Sequence, residues 1–185
     1  LNDFDLILVQ AKCFVEDLSR LGYRGRSCVV PYLPPRVVRP LVPYPRGQLT
    51  LGFLGRLEPQ KNLPALLRIF QALCQRFVRI PGQPRWPRLL LFGAGSQSAC
   101  LRSLAEQLGV AGQVEFAGAI SREAVPAAIG RCHLCCFTSS TEGQALACFE
   151  ILACGRPVVA FAVGALAEIL DHPDMGTAVP FGNEG

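Results

Sequence analysis

Short apolar runs alternate with longer amphipathic ones along most of the 185 residues. DLILVQ (5–10) and SCVVPY (27–32) predict two strands, and the stretch between them, 11–21, carries apolar residues at helical period. Further strands are expected at 49–55 (LTLGFLG), 88–93 (RLLLFG), 113–118 (QVEFAG), 133–139 (HLCCFTS), 157–161 (PVVAF) and 177–181 (TAVPF). Helices are expected between them at 63–78, 97–108, 122–130, 145–154 and 166–170. The 63–78 helix sets Leu63, Leu66, Leu67, Phe70, Leu73 and Phe77 on one face, and Gly155 and Pro157 stop the 145–154 helix. Continuous apolar strands separated by helices predict an α/β chain, a Rossmann-like parallel sheet with helices on both faces. Ligands of such sheets bind beyond the carboxyl ends of the strands. The loops to examine are therefore 55–62, 93–97, 118–121, 139–145 and 161–165.

One stretch breaks the alternation. LPPRVVRPLVPYPRGQ (33–48) is proline-rich and aperiodic, which suits a semi-rigid linker and divides the chain into 1–32, 33–48 and 49–185. Half of the residues are hydrophobic and 17% are charged, the composition of a core-rich globular protein. No apolar run has the length of a membrane span, and the chain opens on a strand-like run rather than a basic and apolar leader. The net charge of +4 is spread out, with a loose group at Arg20, Arg24 and Arg26, and nucleic-acid binding is not expected. Lys12 and Lys61 are the two lysines among 18 basic residues, which draws attention to where Lys61 falls. Nine cysteines lie mostly in apolar runs (Cys28, Cys74, Cys135, Cys136, Cys148, Cys154), as buried thiols in a reducing compartment would. Cys132 and Cys135 have a metal-ligand spacing but no second pair, so no metal is expected.

Three loops could carry chemistry. GRLEPQKN (55–62) follows a strand with Gly55, then offers Arg56 and Lys61, with Asn62 placed as a helix N-cap. Two cations at the binding edge suit a phosphate or diphosphate, although spacing alone favours a solvated surface. FGAGSQS (92–98) has the first two glycines of a dinucleotide fingerprint, but Ser98 stands at the third and Glu115 falls inside a strand. TSSTEGQAL (138–146) leads into a helix whose start can hold an anion, with Gly143 allowing close approach to the backbone. Glu142 and Glu150 flank that start, about 12 Å apart if the span is mostly helical. Each carboxylate could accept from vicinal hydroxyls; alternatively, Glu142 complements the helix dipole and Glu150 faces solvent.

Together these residues resemble a known family. GFLGRLEPQKNLPALLRIF, LLLFGAG, QVEFAGAISREAVPAAI and TEGQALACFEILACGRPVVAF are similar, in order and spacing, to the donor-binding half of retaining GT-B glycosyltransferases of the group often called group 1 or family 4. DLILVQAKCFVEDLSRLGY…VVPYLP resembles the tail of that family's amino-terminal acceptor domain. The resemblance implies that 1–32 is that tail, 33–48 the interdomain linker and 49–185 a donor domain shortened at its end. It implies a hexosyl transfer from a UDP- or GDP-linked sugar to an acceptor hydroxyl with retention, in the cytoplasm and with no cofactor. The acceptor would be a carbohydrate or lipid-linked molecule held by the amino-terminal domain, and the full protein could touch a membrane peripherally.

By the same resemblance Arg56 and Lys61 clamp the diphosphate beside Gly55. Glu142 lies by the transferred sugar, and the amides of Gly143, Gln144, Ala145 and Leu146 meet sugar and phosphates. Glu150 accepts from the ribose, and the Gly118–Ile120 loop, with Gly118 and Ile120, lies near the base. Glu142, Arg56 and Lys61 are the candidate catalytic residues. Gln144 replaces a common aromatic, and Ala165 replaces the second glycine of a pair ahead of Glu168. Alone, the 185 residues are expected to bind nucleotide or nucleotide sugar weakly and to transfer nothing. The alternatives are a non-catalytic nucleotide-sugar-binding module and, further off, an NAD- or FAD-binding oxidoreductase domain.

Overall fold

A computed structural model describes residues 2–30, 43–77 and 86–181. The described residues form two parallel sheets. The small one pairs β1 (Leu6–Val9) with β2 (Arg26–Val29) around α1 (Lys12–Arg20). The large one has six strands: β3 (Thr50–Leu54), β4 (Arg88–Phe92), β5 (Val114–Gly118), β6 (Leu134–Phe137), β7 (Val158–Phe161) and β8 (Gly176–Val179). Between them run α2 (Leu63–Phe77), α3 (Ser98–Gln107), α4 (Val125–Gly130), α5 (Leu146–Ala153) and α6 (Ala165–Ile169). Their order across the sheet is β5-β4-β3-β6-β7-β8. The chain steps outward from β3 to β5, then returns to β6 on the other side of β3. That reversal opens a crevice between the carboxyl ends of β3 and β6.

Sequence pattern explains the burial. All five residues of β3 are buried, as the continuous apolar run demands of a strand covered on both faces. Leu63, Leu66, Leu67, Phe70 and Cys74 of α2 recur at helical spacing and enter the same core. Phe53 meets Phe137 edge to face, with ring centroids 5.9 Å apart, and so joins β3 to β6. The largest buried side chain, Arg156, sits just before β7; its Nε donates to the Cys132 carbonyl (2.7 Å) and its Nη2 to that of Pro43 (2.5 Å). Its guanidinium also lies 4.3 Å from the Tyr44 ring centroid, fastening the end of the 33–48 stretch to the sheet. Most of that stretch lies outside the described residues.

Several expectations are corrected. The 122–130 segment divides into a 3₁₀ turn, Arg122–Ala124, and α4, and two further 3₁₀ turns occur at Pro59–Lys61 and Ala111–Gln113. Asn62 is not an extended N-cap: its φ of 46° is left-handed, a conformation asparagine tolerates better than most side chains. Helix α5 begins at Leu146, so only half of the Glu142–Glu150 interval is helical and the helical rise does not set their separation. Cys28 is exposed, because β1 and β2 keep one another company without a core, leaving Leu6, Leu8 and Val30 exposed as well. Cys74, Cys135, Cys136, Cys148 and Cys154 are buried free thiols as expected, and Cys132 joins them. Burial pushes the Cys136 thiol up to about 12.

At the carboxyl edge the loops pack backbone to backbone. A Cβ on Gly93 would stand 1.8 Å from the Gly55 carbonyl oxygen, and one on Gly164 would stand 1.9 Å from that of Glu142. Gly164 also has a φ of +52°, which disfavours a side chain by roughly 1–2 kcal/mol before any overlap. Gly143 is the opposite case, with nothing within 4 Å of its Cβ position. Gly164→Ala should therefore lower unfolding free energy in urea by well over 1 kcal/mol, and Gly143→Ala by under about 0.5 kcal/mol. Equal effects would show that the loop packing is not as described.

Candidate functional site

The crevice between β3 and β6 is closed at its floor by one ion pair. Lys61 Nζ donates to Glu142 Oε1 at 2.6 Å, with 16% and 9% of the two side chains exposed. Lys61 ends the 3₁₀ turn that Pro59 starts, and Glu142 stands beyond β6 in the loop that leads to α5. The two loops are sewn together on either side of the pair. Thr138 Oγ1 reaches the carbonyls of Lys61 (3.1 Å) and Asn62 (3.0 Å), and the Ser140 amide donates to the carbonyl of Gln60 (2.9 Å). Ser139 Oγ donates to the same Glu142 oxygen at 3.2 Å. None of these serine and threonine partners was distinguishable in the sequence from ordinary loop polarity.

Beyond Glu142 the chain turns into α5 through Ala145, buried and held at a left-handed φ of 48°. Backbone strain of this kind in a residue with a Cβ gathers where a loop must present its amides in one way. Among the described residues, the amides of Gly143, Gln144, Ala145 and Leu146 have no hydrogen-bond partner. Gly143, Gln144 and Leu146 are exposed. Cys148, one turn into α5, has its thiol pushed up to about 12 by burial and then by the Glu142 carboxylate.

On the β3–β5 side of the pair lies a cleft of about 310 Å³ lined by Gly55, Arg56, Gly93, Ala94, Ala119 and Ile120. Arg56 is exposed there, with its charge directed at no ion-pair partner among the described residues. Its charge acts on the Glu58 carboxylate. Bonds from the Ser96 hydroxyl (2.6 Å) and amide (3.0 Å), and to a lesser degree Arg56, hold the Glu58 carboxyl below its usual range. Gly118, at a φ of 76°, accepts from the Gly93 amide (2.8 Å) and turns the chain toward Ile120. The glycines of FGAGSQS serve this layering: a Cβ on Gly95 would stand 2.4 Å from the Leu57 carbonyl oxygen. Their pattern reflects one loop resting on another, which accounts for it without a dinucleotide.

Glu150 is set apart from Glu142. It lies on α5, 27% exposed, with Oε1 3.5 Å from Nε of Arg122. Arg122 went unremarked in the sequence; it comes from the turn after β5 and brings the Gly118–Ile120 loop to α5. Thus Gly55, Arg56 and Ile120 share one cleft, Lys61 and Glu142 share one ion pair, and Glu150 belongs to a neighbouring pair. Glu115, the other carboxylate of interest, is bound to Arg88 (2.9 Å) and Arg131 (2.8 Å). Among the described residues no three His, Cys, Asp or Glu side chains gather to hold a metal, and no helix is long and apolar enough to cross a membrane. His133 accepts the Thr50 amide at Nδ1 (3.0 Å).

Known proteins share both sequence and fold. The chain is 31% identical over 138 residues to D-inositol 3-phosphate glycosyltransferase of Rhodococcus erythropolis, which covers 72% of this chain and 30% of that protein. With the enzyme of the same name from Mycolicibacterium smegmatis it shares 36% over 123 residues, 66% of this chain and 27% of the relative. The chain thus spans under a third of these curated relatives. Among solved structures, Anabaena Alr3699/HepE in complex with UDP and glucose superposes with a TM-score of 0.80 at 19% identity, over 99% of this chain and 52% of that one. Residues 42–184 match the family described as glycosyl transferases group 1. With most of its length inside that match, the chain belongs to the group 1 glycosyltransferases.

Proposed function

We propose that residues 49–185 are the donor-binding half of a retaining hexosyltransferase, that 33–48 link it to an acceptor domain, and that 1–32 are the tail of that domain. The observation that carries the reading is the Lys61–Glu142 pair across the crevice, flanked by Arg56 and by the free amides of 143–146. Transfer from a nucleotide-diphosphate sugar develops charge on the departing diphosphate and an oxocarbenium-like sugar. Arg56 binds the diphosphate as a fork and Lys61 as a point charge, with the 143–146 amides completing the anion site. Glu142 holds Lys61 and orients the transferred sugar, and Glu150 accepts from the ribose. Gly55 lies beside the diphosphate, and the Gly118–Ile120 loop lies near the base. The bare apolar faces of Leu6 and Leu8 support the assignment of β1 and β2 to a larger sheet, since parallel sheets bury both faces. Nine free thiols suit a reducing, cytoplasmic setting, and the acceptor, a carbohydrate or lipid-linked hydroxyl, lies with the other domain. This half binds donor weakly and transfers nothing alone.

Calorimetric titration with UDP, GDP, UDP-glucose, GDP-mannose and NAD tests the reading. UDP or GDP compounds should bind; heat from NAD with none from the others would overturn it. Arg56→Ala is the clean probe, because its exposed side chain can be removed without loss of packing. It should weaken binding by about 1–3 kcal/mol with Tm unchanged, and unchanged affinity would remove Arg56 from the site. Lys61→Ala should also lower stability, by roughly 3 kcal/mol, because it strands the Glu142 carboxylate. Gly143→Ala should weaken binding of nucleotide sugar while leaving urea stability nearly untouched, since its Cβ would project into open space at the anion site.

A further inference from the structure

Glu150 sits on α5, one helical turn or about 6 Å past the helix start that the 143–146 amides lead into. A residue from a different loop holds it: Nε of Arg122 stands 3.5 Å from Glu150 Oε1. Arg122 opens the 3₁₀ turn that follows β5, two residues beyond Ile120. Ile120 packs against the core and lines the Arg56 cleft. The loop after β5 is thus anchored at the cleft by an apolar side chain and reaches α5 with a guanidinium.

The pair does little for the fold. The Arg122 side chain is 60% exposed, and exposed ion pairs add little stability. Its effect falls on the carboxylate itself. A glutamate side chain near the surface samples several rotamers, and a cation seated on one oxygen narrows them. A carboxylate has about four acceptor sites, so a single contact at Oε1 is compatible with acceptance from vicinal hydroxyls. The planar, permanently charged guanidinium loses less freedom on pairing than an ammonium would, which suits a positioning role. Arg122 also offsets the charge that Glu150 places near the anion site, but across solvent that field is screened within roughly 10 Å. The two effects differ in their reach. Charge compensation would act on every anionic ligand alike, whereas positioning acts only on ligands that offer hydroxyls to Glu150.

We propose that Arg122 is a positioning residue: it holds the Glu150 carboxylate in the orientation that accepts the ribose hydroxyls, and so sets how strongly the site prefers a ribonucleotide to its dideoxy form. The inference rests on the donor site proposed above, with Glu150 as its ribose acceptor.

The parent chain, Arg122→Ala, Glu150→Ala and the double variant are titrated with UDP and GDP and with their 2′,3′-dideoxy forms. The parent should prefer the ribonucleotide by about 10-fold or more, as hydrogen bonds to a charged acceptor provide. Arg122→Ala should cost the ribonucleotide about 3- to 10-fold and leave the dideoxy form within about 2-fold, so that the preference shrinks. Once Glu150 is alanine, replacing Arg122 should change nothing further, because the two act as one unit. Equal losses for ribo- and dideoxynucleotides, a loss that persists without Glu150, or no loss at all would each overturn the proposal. A parent that binds both forms equally keeps its diphosphate site but removes the ribose role of Glu150, and that of Arg122 with it. Failure of the donor site is visible separately, as a parent that binds none of the four nucleotides, and the role of Arg122 falls with that site. A melting curve for each variant verifies that the fold is intact.

Discussion

The ion pair between Lys61 and Glu142 is the constraint on which the site depends. It ties the loop after β3 to the loop after β6 at the place where the strand order reverses. Holding two charges in a largely buried position carries a desolvation penalty, and apolar residues could join two loops at least as firmly. The pair is therefore better understood as preorganisation than as a source of stability. It fixes a cation and a carboxylate together at the carboxyl edge of the sheet, the preorganisation that the proposed donor site calls for. Thr138, Ser139 and Ser140 confine both partners, and the backbone of Gly164 lies against the Glu142 carbonyl from behind.

Around that pair the glycines divide by role. Gly93, Gly95 and Gly164 are needed because another backbone occupies the space of a side chain, and they stack the loops into one surface. Gly143 differs: among the described residues nothing lies within 4 Å of its Cβ position. The chain also arranges its chemistry in sequence along the edge: the cleft at Arg56 and Ile120, the ion pair, and the strained turn at Ala145.

Alternation of apolar strands and amphipathic helices made the parallel sheet legible, and with it the loops at its carboxyl edge. Arg56, Lys61, Glu142 and Gly143 stood out because they are polar or small residues in those loops. Less visible were features that depend on contacts distant in sequence. Nothing local marks Thr138 or Ser140 as partners of Lys61 and Gln60, some 80 positions away, or Arg122 as the partner of Glu150. The 3₁₀ turn that aims Lys61 and the left-handed Ala145 arise from tertiary packing over local propensity. FGAGSQS looked like a phosphate-binding signature because glycine meets the same demand, close backbone approach, whether the neighbour is a ligand or a loop. Arg156 resembled other scattered arginines, yet it is fully buried among carbonyls.

Hydrogen-exchange mass spectrometry with saturating UDP and GDP compares the loops in one measurement. A diphosphate seated across the β3–β6 crevice should slow exchange at 55–62, 118–122 and 142–150 together, leaving the 93–98 loop, already bonded to its neighbour, little changed. Protection confined to 93–98, or none in the 142–150 segment, would show that the Lys61–Glu142 crevice is not where the nucleotide binds.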